Sequence, residues 1–415
     1  MKTIVFDDDP TGTQSASNVP VLLQWDAAQI AATLRDHDAV YLLTNTRAIA
    51  EDAAIALLTR TRGELETAAT ALGEALHVVL RGDSTLRGHV FSETEVFAGD
   101  EAPILFVPAF PEGGRTTVEG THYVQEGERR TPAHETEYAE DPVFPFAHSY
   151  LPEYVAEKTE RPTQLVPIET VRGPLEALAE VFANVAPTTV LLPDAETAED
   201  IRRIAAAVHL VWEQQRPLVV RSGSPLAAAI AGVESAGLLE RPIVPARGAT
   251  LLVCGSHTNG ATRQLERVAL RHEAPVVIST DAAMHDPKAE AALIAEAASH
   301  LLERDGFATV ASERTRRAEH NTLAHGERVM DALTTIVSEL RHRTEVVVSK
   351  GGITSAEVAR LGLGADRAMV LGQVLPGVSV WQVTTPEGAE RKLVVVPGNV
   401  GAPETIDNVL RAVGR

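Results

Sequence analysis

The chain is poor in cysteine and lysine, has a deficit of positive charge, and contains no long apolar run. One cysteine, Cys254, occurs in 415 residues. This excludes an internal disulfide and a cysteine-rich zinc site, and it points to a reducing compartment, the cytoplasm. Lys plus Arg total 37 against 57 for Asp plus Glu, a formal net charge of −20. A chain so acidic lacks the basic surface that displaces counterions from nucleic acid or holds an anionic membrane, so neither is an expected partner. An anionic small molecule can still bind where arginines converge. The opening Met-Lys-Thr-Ile-Val-Phe-Asp reaches an acidic cluster without the apolar stretch of a signal peptide, and no run of about 18 apolar residues offers a membrane span.

What is present is enough apolar material, 44% of residues, for large cores without staples. The length suits two domains. Short β-branched runs alternate with Ala/Leu/Glu-rich stretches throughout. Expected strands are 3–6, 19–23, 39–43, 77–80, 104–107, 164–168, 189–192 and 218–220. Expected helices are 51–72, 174–184 and 198–214. Several strands are apolar on both faces, which predicts parallel sheets joined by crossover helices. The segment 237–248, with two prolines and flanking glycines, reads as a linker. Beyond it the pattern restarts, with strands expected at 250–254, 276–278, 308–311, 346–349, 367–370 and 392–396. Helices are expected at 261–272, 288–303, 321–340 and 403–413, the last with proline near its first turn. The reading is α/β, with two domains, 1–240 and 241–415, each a mostly parallel sheet flanked by helices. The stretch 112–160 shows no clear periodicity and reads as a long functional or mobile loop.

Three loops of the first half follow strands, where ligands bind in open α/β sheets. Asp7-Asp8-Asp9-Pro10-Thr11-Gly12 places three carboxylates together, and their mutual repulsion costs stability unless something offsets it. A general base, a metal site or contacts to hydroxyls would explain the cluster; an Asp-capped turn at Pro10–Gly12 is the plain alternative. Arg81-Gly82-Asp83-Ser84-Thr85-Leu86-Arg87-Gly88-His89 combines guanidiniums, a carboxylate, hydroxyls and glycines, suited to gripping a carboxylate or phosphate, or simply to a salt-bridged turn. Pro108-Ala109-Phe110-Pro111 with Gly113-Gly114-Arg115-Thr116-Thr117 repeats that logic.

The second half has three strand–glycine turn–helix junctions: Cys254-Gly255-Ser256-His257, Ser349-Lys350-Gly351-Gly352-Ile353-Thr354, and Val396-Pro397-Gly398-Asn399-Val400-Gly401. Such turns aim backbone amides at phosphates. None forms a P-loop or a dinucleotide fingerprint. Lys350, one of five lysines, is read as a solvated loop residue more readily than as a phosphate ligand. Cys254 reads as a buried inert thiol. His89 and His122 lie near the first-half loops without an evident partner.

With these motifs the chain resembles, over its whole length, a divergent branch of the four-carbon acid sugar kinase family. Asp8-Asp9-Pro10-Thr11-Gly12, Asp83-Ser84-Thr85-Leu86-Arg87-Gly88 and Pro108-Ala109-Phe110-Pro111 with Gly114-Arg115-Thr116 carry the likeness in the first half. Gly255-Ser256, Gly351-Gly352 with Thr354, and Gly398-Asn399-Val400-Gly401 carry it in the second. The resemblance implies a sugar-binding first domain, a nucleotide-binding second domain and an active site in the cleft between them. It implies ATP-dependent phosphorylation of a hydroxyl of threonate, erythronate or an oxo-tetronate, with Mg²⁺ carried on the phosphates and few dedicated ligands. Asp8 and Asp9 are the candidate catalytic pair. Asp83, Ser84, Arg87, Gly114 and Arg115 are the candidate acid-sugar ligands. Ser256, Gly351, Gly352, Thr354, Gly398, Asn399 and Gly401 would hold the nucleotide. The metal ligands stay open, a homodimer is allowed for, and a sugar-acid isomerase or lyase, or an inactive binding sensor, are the competing readings.

Overall fold

The computed structural model describes residues 1–244, 248–314, 323–398 and 401–415. They form two compact units, Met1–Pro20 with Gln24–Glu234, and Val21–Leu23 with Ser235–Arg415. The expected linker, 237–248, falls in the second unit, and its residues 245–247 lie outside the described residues.

The first unit is built on β1 (Lys2–Asp7), β2 (Val19–Leu22, of which Val21 and Leu22 count with the second unit), β3 (Ala39–Leu43), β4 (Leu76–Arg81) and β5 (Ile104–Val107). A small sheet of β6 (Arg115–Val118), β7 (Thr121–Glu126) and β8 (Arg129–Pro132) follows. The main sheet is completed by β9 (Thr163–Val166), β10 (Val190–Pro193) and β11 (Val219–Ser222). The main sheet runs β2-β3-β1-β4-β11-β5-β10-β9. The pairings of β1 with β3 and β4, and of β11 with β4 and β5, are parallel. β3, β5 and β10 are buried along their full length, as strands covered on both faces must be. Helix Glu51–Leu72 starts with Glu51 and Asp52 at its dipole's positive end and stops at Gly73, whose φ of 71° closes the last turn. Helix Ala198–Glu213 starts with a reciprocal capping box between Thr197 and Asp200.

The small sheet corrects the reading of 112–160 as an aperiodic loop. β6 and β7 form a tight hairpin on Glu119-Gly120, with φ of 49° and 71°. Thr, Arg, His and Gln occupy both faces of these strands, so no apolar alternation marks them in sequence.

The second unit contains β12 (Thr250–Cys254), β13 (Val276–Ile278), β14 (Phe307–Ser312), β15 (Val346–Lys350), β16 (Arg367–Leu375), β17 (Val378–Thr384) and β18 (Glu390–Val396). Their order is β13-β14-β12-β15-β18-β17-β16, parallel through β18 and antiparallel from β18 to β16. The sheet is therefore mostly parallel with an antiparallel flank. β17, passed over in the sequence reading, turns back from β16 at Gly377, φ 76°. Leu252, Val348, Val394, Val396, Ile406 and Val409 belong to one buried core. The last helix spans Thr405–Ala412, so Pro403 precedes the N-cap Glu404 instead of entering the first turn. Among the described residues no helix is long and apolar enough to cross a membrane.

Candidate active site

Parallel strands end at the same edge, and register decides which residues meet there. In the first unit Asp7 stands opposite Arg81, Arg81 opposite Ser222, and Ser222 opposite Val107. All three motif loops of this unit therefore leave from one row. The Asp cluster is not left to repel itself: arginines supply the offset that the sequence reading required. Arg81 Nη1 donates to Asp7 Oδ1, Asp8 Oδ1 and the Asp9 carbonyl, each at 3.1 Å. Arg47 Nη2 lies 2.8 Å from Asp9 Oδ2, and its other nitrogens reach Asp8 Oδ1 at 3.4 Å and Asp83 Oδ2 at 3.5 Å. Arg221 bridges Glu93 Oε2 at 2.5 Å and Asp8 Oδ2 at 3.4 Å. Asp7, Asp8, Arg81, Arg221 and Glu93 are all buried.

Arg47, Arg221 and Glu93 belong to this cluster, and the sequence reading did not single them out. Only the fold brings them to the aspartates, from 38 positions away in the chain for Arg47 and Asp9 to 213 for Arg221 and Asp8. One signal existed: Val219-Val220-Arg221-Ser222 sets a guanidinium in an apolar strand, and a buried charge needs a partner. The capped-turn reading is realised as well, since Asp9 Oδ1 accepts from Thr11 N at 2.8 Å.

The environments push the carboxyls apart. Burial raises Asp7 to about 7, against the pull of Arg81. Burial also raises Asp8, against Arg47, Arg81 and Arg221. For Asp9 burial acts upward too, but Arg47, Arg81 and the Thr11 hydrogen bonds prevail and hold it below its ordinary value.

In the second loop Asp83 Oδ2 accepts from Thr85 Oγ1 at 2.5 Å and Arg87 Nε at 2.7 Å. This is the salt-bridged turn weighed from sequence. It takes up the Nε of the Arg87 guanidinium. The Ser84 carbonyl accepts from His122 Nε2 at 2.8 Å, and His122 Nδ1 accepts from Thr117 Oγ1 at 3.0 Å. A carbonyl cannot donate, so the His122 proton sits on Nε2; burial lowers this histidine to about 4 and keeps it neutral. His122 thus ties the small sheet to the second loop. Gly88, at φ 122°, passes so close that a Cβ there would lie 3.3 Å from Asp8 Oδ2. In the third loop Gly114 adopts φ 77°, Arg115 Nη1 donates to the Gly113 carbonyl, and the buried Arg115 Nε has no hydrogen-bond partner among the described residues.

The second unit repeats the arrangement with cations at two of its turns: Arg314 Nη2 donates to the Ser256 carbonyl at 2.6 Å, and Lys350 stands in the row itself. Cys254 pairs with Lys350, and Lys350 with Val396, so three turns leave from one row. They converge tightly. A Cβ on Gly398 would lie 3.3 Å from Ser256 Oγ and 3.7 Å from Gly351 Cα. A Cβ on Gly351, at φ 120°, would lie 3.0 Å from Thr354 Oγ1, and one on Gly255 would collide with the same hydroxyl. Thr258 Oγ1 donates to the Gly398 carbonyl at 3.2 Å. Gly352 opens the helix Gly352–Glu357. The Gly401 carbonyl, by contrast, accepts from Gln264 Nε2 at 3.1 Å. Asn399 lies outside the described residues. Lys350 is corrected: it is fully buried, not solvated, its Nζ donates to the Pro397 carbonyl at 2.6 Å, and burial lowers its pKa to about 8. Cys254 is buried, and burial raises its thiol pKa.

Among the described residues no group of three or more His, Cys, Asp or Glu side chains could hold a metal ion. The Asp7–Asp9 carboxylates face guanidiniums, a donor set that does not fit a cation.

Residues 3–230 match a family model described as a sugar-binding N-terminal domain, and residues 251–406 match a nucleotide-binding C-terminal domain. The chain belongs to the four-carbon acid sugar kinase family. It is 27% identical over 439 aligned positions to a D-threonate kinase of Salmonella typhimurium, covering 99% of this chain and 98% of that one. It is 29% identical to a D-threonate kinase of Bordetella bronchiseptica, covering 80% of this chain and 76% of the relative. A 3-oxo-tetronate kinase of Cupriavidus necator is 27% identical, with 80% and 77% covered. A Haemophilus influenzae crystal structure of the DUF1537 family shares the fold at TM-score 0.66 and 17% identity, covering 99% of this chain and 100% of that one.

Proposed function

We propose that this chain is a kinase that moves the terminal phosphoryl group of ATP to a hydroxyl of a four-carbon acid sugar. The observation that carries the reading is the convergence of Ser256, Gly351 and Gly398 on one sheet edge, so close that a Cβ would fill the space. Such a cradle suits phosphate oxygens, which need many donors at short range. It lies in the part matched by the nucleotide-binding model. The kinase names of the relatives support the reaction class.

In this reading the first unit binds the acid. Arg87 offers its Nη atoms, and Arg115 its guanidinium, to the carboxylate. Asp83, Ser84 and the Gly114 turn take the sugar hydroxyls. Asp9 accepts the proton of the attacking hydroxyl: its side chain is 10% exposed against 2% for Asp8, and its lowered pKa keeps it ionised at neutral pH. Asp8 anchors Arg47, Arg81 and Arg221 around it. In the second unit Ser256, Gly351, Gly352, Thr354, Gly398, Asn399 and Gly401 hold the nucleotide. Mg²⁺, when bound, neutralises charge on the phosphates and arrives with them. The isomerase or lyase reading used the aspartates as metal ligands, and their guanidinium pairs speak against it. The test is ADP release with ATP–Mg²⁺ across D-threonate, erythronate, 3-oxo-tetronate and neutral tetroses. Acid-dependent ADP release is expected; its absence with every acid overturns the proposal.

A further inference from the structure

The segment that reads as an aperiodic loop does specific work on the Asp83–Arg87 turn. Four of its side chains close on that turn. His122 donates to the Ser84 carbonyl at 2.8 Å and Tyr154 donates to the Leu86 carbonyl at 2.7 Å. Both side chains are fully buried, and Leu86 is held at φ 69°, a conformation few non-glycine residues adopt. Tyr138 lies under Arg87, with the guanidinium carbon 5.2 Å from the ring centroid. The fourth contact differs in kind. Asp141 Oδ2 stands 3.4 Å from Arg87 Nη1, long for a charge-assisted hydrogen bond, and the two side chains are 22% and 20% exposed. Asp83, by contrast, holds Nε of the same guanidinium at 2.7 Å.

Two buried hydrogen bonds, a ring face and a short ion pair fix where Arg87 points, and a weak carboxylate contact occupies Nη1. We propose that Asp141 is a specificity-determining residue: its carboxylate rests on Nη1 of Arg87 as a stand-in for the substrate carboxylate, which displaces it on binding. A carboxylate is exchanged for a carboxylate, so the guanidinium keeps a counter-charge in both states. A neutral sugar has nothing to exchange and leaves the pair closed. The inference rests on the function proposed above, in which Arg87 receives the acid.

Asp141→Asn removes the competing charge while its amide oxygen still accepts from Val143 N and Phe144 N, the contacts Asp141 Oδ1 makes at 2.9 and 3.0 Å. Titration calorimetry with D-threonate, erythronate and 3-oxo-tetronate measures the outcome on the full chain, beside wild type and Arg87→Ala. An exposed ion pair contributes roughly 0.2–1 kcal/mol, so the dissociation constant of the bound acid falls about 1.5- to fivefold in Asp141→Asn. The gain shrinks as salt is added, and neutral tetroses gain nothing. A folding defect cannot tighten binding, which separates this role from a structural one. An unchanged or raised dissociation constant in Asp141→Asn, with Arg87→Ala still losing the acid, overturns the exchange and leaves the function standing. An Arg87→Ala variant that binds acid normally, or a wild type that binds no acid, overturns both.

Discussion

The two units set a row of residues at the carboxyl edge of a parallel sheet, yet furnish it oppositely. In the first unit the row is Asp7, Arg81 and Ser222, wrapped in ion pairs to Asp8, Asp9, Arg47, Arg221 and Glu93. In the second it is Cys254, Lys350 and Val396, topped by glycine turns whose carbonyls accept from Lys350 and Arg314. The difference follows from what each site would meet. A small acid with one carboxylate and several hydroxyls is told from its relatives by a few charges held at fixed points. A polyphosphate presents oxygens on all sides and is gripped by short donors that only bare backbone brings close enough. The charged site is costly to build, because buried ions lose hydration that only full pairing offsets.

That contrast predicts where damage is worst. Arg81→Leu removes the cation shared by Asp7, Asp8 and the Asp9 carbonyl. It should lower stability by on the order of 3–5 kcal/mol, read by urea unfolding, while Ser256→Ala, at the rim of the glycine cradle, stays within about 0.5 kcal/mol. Equal losses would break the comparison. Next in size, Asp9→Asn should lower kcat by roughly two orders of magnitude or more while the chain stays folded by circular dichroism. Asp8→Asn should lose stability, because three guanidiniums lose their shared carboxylate; relief of like-charge repulsion taken alone predicts a gain.

The third test addresses the glycine-turn site. Gly351→Val meets both the positive φ and the Thr354 hydroxyl, and Gly398→Val meets Ser256. Folded variants should raise the KM for ATP at least about tenfold and barely move the KM for the acid, the steric signature of a blocked cradle. A pH-dependent effect is expected from Lys350. Its pKa is about 8 in the fold and 10.5 ordinarily. Between those values the unfolded chain holds the proton that the folded chain has released, so stability rises with pH across that window and is flat below it. Compared with Lys350→Met, the wild type should gain on the order of 2–3 kcal/mol between pH 8 and 10.5, followed by unfolding at stepped pH. A constant difference would remove the buried lysine from the account.

Much of this was legible in the chain. Alternating β-branched and Ala/Leu/Glu segments are read locally, so the strands and long helices of both units agree with expectation to within a few residues over most of their length. The small sheet was not legible, because its strands carry polar residues on both faces and one tight turn is their main signal. The motif loops were legible as chemistry, since Asp, Arg and Gly after strands imply sites whatever their neighbours.

Sequence by itself determined that this is a two-part α/β protein with charged loops after strands in one half and glycine turns after strands in the other, because periodicity and turn chemistry are properties of neighbouring residues. Tertiary structure alone decided which charges share a site. Whether three aspartates repel or are held depends on Arg47, Arg81 and Arg221, and whether Lys350 is wet or dry depends on the sheet around it. Strand register sets both, and the energy of a charge is fixed by what surrounds it in space, not along the chain.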